Sequence, residues 1–225
     1  MSRKDFYKKK ILEHIKNKKS KILVLGAGKL DIDLFSELKY KNVNFTNVDY
    51  LASKKKIKLQ NIHEIKYKDN SFDYCIAHAC IHHSSRPHQA VLELYRVCKL
   101  GCLIIEAKES ILSRIACRFN WSEEFEISAV YKNKLYGGVD NTTIPNYVFR
   151  WSEREVEKLM KSYRPEIIHS IEYGYGHHIK FTNSLLIQFL FRLFFFFFPK
   201  QQNLFSFFIE KDKKKKQYQS WYKKL

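Results

Sequence analysis

Residues 21–28, Lys-Ile-Leu-Val-Leu-Gly-Ala-Gly, constrain the fold of this chain more than any other stretch. Four consecutive apolar residues make a run of strand length with no polar side, so both faces of that strand must be covered. The glycines permit a tight turn. A helical pattern follows at once, with Asp31 placed to cap it and Leu34, Phe35 and Leu38 on one face. Residues 43–48 read as a second strand that ends at Asp49, and a weaker third strand is expected over 62–67. Residues 71–77 and 102–106 read as a fourth and a fifth strand. Between these two lies a helix over 86–99, with Pro87 in its first turn and Gly101 just past its end. Strands alternating with helices predict an α/β fold whose mainly parallel sheet is covered on both faces.

The remainder of the chain reads as additions to that frame. Tyr7, Ile11 and Ile15 repeat at i, i+4 among lysines, which predicts a basic amphipathic helix within residues 1–20. Residues 107–150 show no clear period and are expected to be an insertion in a main domain over 21–209. Ser152 and Glu155 form a capping box ahead of Val156, Leu159, Met160 and Tyr163 at helical spacing. Residues 167–173 and 204–209 are expected to be two closing strands. Between them, over 181–199, lies a helix capped near Asn183 or Ser184 and stopped by Pro199. It carries seven Phe in residues 189–198. This run is shorter than a bilayer span and is interrupted by Gln188 and Arg192, so it is expected either to be buried against the domain or to lie in a membrane interface.

Charge is distributed unevenly. The formal net charge is +18; residues 1–21 carry nine Lys or Arg against two acids, and residues 210–225 carry seven Lys against two acids. Clustered lysines of this kind suit polyanionic surfaces, although the abundance of Lys, Phe, Ile and Asn also fits a coding bias. The five cysteines include no CxxC pair, and no apolar run follows the first basic residues. Reduced thiols, no signal peptide and a cytoplasmic location are therefore expected.

An open α/β sheet binds its ligand at the carboxyl ends of its strands, where the strand order reverses. Gly26, Ala27 and Gly28 follow the first strand, where backbone N–H groups can approach a ligand, and Asp49 ends the second, where a carboxylate can take both hydroxyls of a ribose. That pair suits a dinucleotide as well as an adenosylmethionine.

The later pattern separates the two. Residues 69–78 (Asp-Asn-Ser-Phe-Asp-Tyr-Cys-Ile-Ala-His), then Ile81-His82-His83, then Glu93, Arg96, Val97, Lys99 and Gly101 resemble the type 11 methyltransferase domain family. In order and interval the likeness covers residues 21–106 and is similar to compact members from bacterial surface-glycan clusters. The resemblance implies a Rossmann-like class I methyltransferase fold: a seven-stranded sheet with helices on both faces and an antiparallel last strand. It implies S-adenosylmethionine as cofactor, held by Gly26, Ala27, Gly28, Asp49, Asn61 and His78. Leu30 stands where the family carries a third glycine, and Asn61 where it often carries an acid.

Methyl transfer to oxygen needs a base, and His82 or His83 can serve near neutral pH; His177 and His178 are further options. No metal is expected, because no carboxylate sits at ligand spacing from these histidines. The expected acceptor is a small molecule, glycan or lipid-linked sugar. Peripheral contact with the anionic inner membrane face is expected to go with it. RNA methylation is a second reading, motivated by the charge, and a non-catalytic protein retaining the fold is a third.

Overall fold

The computed structural model describes residues 2–47, 57–132, 137–178, 184–212 and 217–222. Its centre is a seven-stranded sheet in the order β3-β2-β1-β4-β5-β8-β7. The strands are β1 (Ile22–Leu25), β2 (Val43–Asn47), β3 (Ile57–Leu59), β4 (Phe72–His78), β5 (Cys98–Ala107), β7 (Ile171–Gly176) and β8 (Leu204–Glu210). The pairs of β1 with β2 and β4, β2 with β3, and β4 with β5 are parallel; β8 runs antiparallel to β5 and to β7. The expected α/β class and antiparallel last strand are both present.

Alternation along β1, β4 and β5 builds two core layers. Leu23, Leu25, Cys75, Ala77, Cys102 and Ile104 face a layer closed by α3 (Pro87–Val97) and α6 (Glu153–Tyr163). Ile22, Val24, Ile76, Leu103 and Ile105 face the other layer, closed by α1 (Arg3–His14) and α2 (Lys29–Glu37). Phe6, Tyr7 and Ile11 of α1 are fully buried, so the first helix is part of this core. Its basic face is partly neutralised, because Lys4 and Lys8 both pair with Glu37 of α2. All five cysteines are free, and four are buried.

Three expectations need correction. The third strand is Ile57–Leu59, not 62–67. The backbone of 62–67 is diverted to α3: Arg96 donates to the carbonyls of Ile65 and Tyr67, and Glu93 accepts the Ile65 N–H. The residues expected as one strand over 167–173 split into β6 (Ile167–Ile168), paired with β9 (Gln217–Tyr218), and β7. Finally, 107–150 contains α4 (Ile111–Arg118) and α5 (Ile127–Lys132). No residue of α4 is buried, so it needs no apolar stripe facing a core.

The helical Phe-rich segment is α7 (Leu185–Phe197), and Phe195 is its buried residue. The expected cap at Asn183 lies outside the described residues. Pro199 begins a short 3-10 turn that leads into β8.

The Glu93–Arg96 pair thus acts structurally, tying the 61–70 loop to α3. Removing a charged donor that serves two carbonyls and two carboxylates costs about 2–3 kcal/mol for a partly exposed group. Arg96→Ala should lower the denaturant midpoint of unfolding accordingly, and Arg96→Lys, which lacks the fork, should recover only part of it.

Candidate active site

The sheet order reverses between β1 and β4, so the crevice at their carboxyl ends is where ligand contacts concentrate. Gly26, Ala27 and Gly28 turn there from β1 into α2. Gly26 has φ +65°, and a Cβ on it would lie 2.3 Å from Cys80 Cβ, so only glycine fits. Ala27 is buried, and its N–H donates to the Thr46 carbonyl while its own carbonyl accepts from Asn47 Nδ2. The loop is therefore strapped to the end of β2. Gly28 caps α2 with extended backbone, and a Cβ there would meet nothing closer than 4.0 Å. The backbone of Gly26 and Gly28 is half-exposed, as a loop that receives a ligand must be.

Behind this loop Asp31 accepts from Gly28 N–H (2.8 Å) and from the Tyr7 hydroxyl (3.0 Å). The Tyr7 ring stacks on His78, the last residue of β4, with centroids 4.2 Å apart. Burial raises the Asp31 pKa, opposed by the Gly28 N–H and the His78 imidazole, and burial lowers that of His78. The structure thus joins the glycines and His78 in one crevice and adds Tyr7 and Asp31. Asn61 lies on the exposed loop after β3, where its Oδ1 accepts the His63 N–H. Leu30 is exposed on the first turn of α2. Asp49 lies outside the described residues.

His82 and His83 occupy a 3-10 turn, Ile81–His83, held by Glu106 at the exit of β5. The fully buried Glu106 carboxylate accepts N–H bonds from Cys80 (2.9 Å) and Ile81 (2.7 Å), and its other oxygen takes His82 Nδ1 at 2.5 Å. His82 Nε2 faces Glu126 Oε2 at 3.4 Å, and His83 Nε2 lies 3.4 Å from the same oxygen. Burial alone would lower the His82 pKa, but the two carboxylates reverse this and push it up to about 10. His82 in turn holds Glu126 down to about 2. His83 titrates below the usual histidine range because it is desolvated and sits beside the His82 cation.

Glu126 corrects the expectation that no carboxylate reaches these histidines: His82, His83 and Glu126 offer ligand atoms within 4.8 Å of one another. It comes from the 107–150 segment, 43 residues away, and no spacing rule finds such a partner. The same segment supplies Asn146, whose Nδ2 donates to the His82 carbonyl (3.3 Å). Its Oδ1 is buried with no partner among the described residues. It also supplies Asp140, which accepts the Ser85 N–H and lies 3.5 Å from His63 Nε2. Glu106 did carry a signal, as a carboxylate ending an otherwise apolar strand.

His177 and His178 are not brought into this group. They follow β7 at the far edge of the sheet, where His177 stacks on Phe195, and the Asn203 side-chain amide accepts the His178 N–H and donates to its carbonyl. A separate cavity lined by Asp69, Arg96, Arg164 and Lys211 opens at the opposite edge of the sheet. Its cations are already committed, Lys211 to three carbonyls and Arg96 as described above.

Because Gly26 has both a positive φ and Cys80 in the place of a side chain, Gly26→Ala should destabilise the protein by more than about 1 kcal/mol. It should also displace the turn that carries the histidines. Thermal unfolding measures the first effect, and the His82 and His83 ring resonances in an NMR spectrum report the second.

Comparison with known proteins agrees with the fold. Residues 31–105 match the family model described as a methyltransferase domain. No curated protein matches the chain in sequence. A SAM-dependent methyltransferase from Archaeoglobus fulgidus superposes with a TM-score of 0.55 at 10% identity, over 92% of this chain and 94% of that one. The YcgJ protein of Bacillus subtilis gives 0.54 at 14% identity, over 94% and 98%. A SAM-dependent methyltransferase from Methanosarcina mazei gives 0.51 at 15% identity, over 90% and 96%. Residues 31–105 thus match a methyltransferase domain, and the whole described chain shares the fold of these SAM-dependent methyltransferase structures.

Proposed function

We propose that this protein transfers a methyl group from S-adenosylmethionine to an oxygen of a glycan, lipid-linked sugar or other small acceptor, with His83 as general base. The observation that carries this reading is the meeting of His82, His83, Glu106 and Glu126 at the sheet edge that also holds the Gly26–Gly28 loop.

The chain's residues suit the cofactor. Gly26, Ala27, Gly28 and His78 would hold it, with an open backbone face at Gly28. When bound, it supplies an electrophilic methyl on a sulfonium. An attacking hydroxyl must lose its proton as the new C–O bond forms. A neutral imidazole is suited to take that proton, and His83 stays neutral at pH 7 with its side chain 30% exposed. His82 serves differently. Bracketed by Glu106 and Glu126, it remains a cation and positions Glu126 against His83. The 107–150 segment brings Glu126 and Asn146 to these groups and Asp140 to the neighbouring Ser85 and His63.

The first test is isothermal titration with S-adenosylhomocysteine. Micromolar binding, lost in Asp49→Ala, is expected; no binding by the wild type sinks the enzyme reading and leaves a retained fold. With an acceptor found among lipid-linked glycans, His83→Ala should lower kcat by about 10²–10⁴-fold with KM little changed. The acidic limb of the wild-type profile should fall below pH 6.5. Turnover that persists with chelators separates a base from a cation held by the same three side chains. A His82→Gln variant should lose stability near neutral pH. The folded pKa of His82 is raised from 6.5 to about 10, so its contribution is complete below pH 6.5 and lost as pH rises through 10. The gap between the two unfolding curves should close over that range.

A further inference from the structure

Among the described residues, exposed large apolar side chains are densest along one stretch of the surface. Ten of them fall between residues 185 and 198, on α7 and the residue that ends it. Leu185 is 82% exposed, Phe196 78% and Phe197 66%. Taken at 3.6 residues per turn, the exposed apolar positions sweep more than half of the helix circumference, whereas a helix docking on a protein core needs a stripe about 100° wide. The body takes up Phe195 and, partly, Gln188 and Phe191.

α4 extends this surface. It follows β5 directly, and Ile111, Ile115, Phe119 and Trp121 are exposed on it and just past its end. The two helices are joined where Gln201, in the turn after α7, accepts the Leu112 N–H at 3.1 Å. Both helices leave the carboxyl edge of the sheet, α4 five residues beyond Glu106, so the apolar platform flanks the site just described.

Its unpaired charges within the apolar stretches are basic. Residues 111–122 and 184–209 contain no Asp or Glu, and Arg118, Arg192 and Lys200 stand exposed among the apolar groups; Arg114 pairs with Glu109 at 2.5 Å, and Glu123 and Glu124 border the surface beyond Trp121. Clustered aromatics with scattered cations match the interfacial zone of an anionic bilayer, where rings sit at headgroup depth and cations meet phosphates. A 13-residue helix is about 20 Å long, short of the roughly 30 Å hydrocarbon core, and no helix among the described residues is long and apolar enough to cross.

We infer that α4 and α7 form a docking surface for an anionic phospholipid bilayer and that the site mouth faces the membrane plane. Resting on the methyl-transfer reading, this narrows the acceptor to a lipid-anchored one, presented from the membrane to His83.

Vesicle sedimentation of the full chain tests it, with vesicles of phosphatidylcholine alone and of phosphatidylcholine mixed with phosphatidylglycerol. Partitioning to the mixed vesicles is expected, weakening as salt is raised. Phe189→Ser with Phe197→Ser should reduce it by about tenfold or more, since each ring loses its apolar transfer free energy. Arg118→Glu with Arg192→Glu should reduce it on the anionic vesicles. S-adenosylhomocysteine titration should be unchanged in both double variants, so failure of docking is distinguishable from failure of the cofactor site. No partitioning to anionic vesicles, equal partitioning to neutral ones, or indifference to the Phe substitutions overturns the inference. Light scattering that shows a dimer dissolved by the same Phe substitutions, without vesicle binding, assigns the surface to a second copy and overturns it equally.

Discussion

The Glu106 carboxylate is the constraint around which this site is built. It is fully buried, and an ionised group there is tolerable only with strong partners. Two backbone N–H groups and one imidazolium provide them. Burial by itself would raise its pKa; His82 and the N–H donors hold it below the ordinary value. Because both N–H groups belong to the turn after β4, satisfying the carboxylate also sets the path of that turn. The path brings Cys80 into the space beside Gly26, with its thiol against the Leu25 carbonyl. A strand-end acid on β5, a turn after β4 and a glycine after β1 are therefore one structural unit, and altering any one disturbs the other two.

The frame of the fold was legible in the sequence because its signals are local. Four apolar residues before Gly26, the Ser71–Ala77 run and the Ser152 cap each record a preference of their own segment, although Glu155, expected to close a capping box there, turns to His88 instead. Their side-chain alternation divides cleanly between the two core layers. What escaped was decided by distant partners. Residues 62–67 have strand composition, yet Arg96 and Glu93 claim their backbone groups, and the sheet finds its third strand at Ile57–Leu59 instead. Glu126, Asp140 and Asn146 reach the histidines from a segment without period, since short helices that bury little need no stripe. Tyr7 read only as one apolar position of a helix, although its ring covers His78 and its hydroxyl binds Asp31.

Charge also means something different in three dimensions. The basic first helix looks in sequence like a free polycationic arm, but Lys4 and Lys8 share Glu37, and Lys10 is largely buried against its neighbour Glu13. The cations of the apolar platform are fewer, and Arg114 is offset by Glu109, yet residues 111–122 and 184–209 themselves hold no acid against Arg118, Arg192 and Lys200. Local balance, rather than the total of +18, determines where a polyanionic surface is attracted.

Two adjacent imidazoles with one shared carboxylate might be expected to act alike, but their surroundings push their proton affinities apart. His82 has a carboxylate on each side, at 2.5 and 3.4 Å, and its side chain is 10% exposed. Releasing its proton would leave two carboxylates facing each other across a neutral ring, one of them fully buried. It is therefore committed to the charged state. That fixed cation discourages a second one on His83, which adds to the desolvation that already keeps His83 neutral. Under the proposed methyl transfer, tuning of this kind suits His82 to hold geometry and His83 to move a proton. The assignment needs no difference in residue type, only that the exit of β5 carries an acid that the interior cannot leave unpaired.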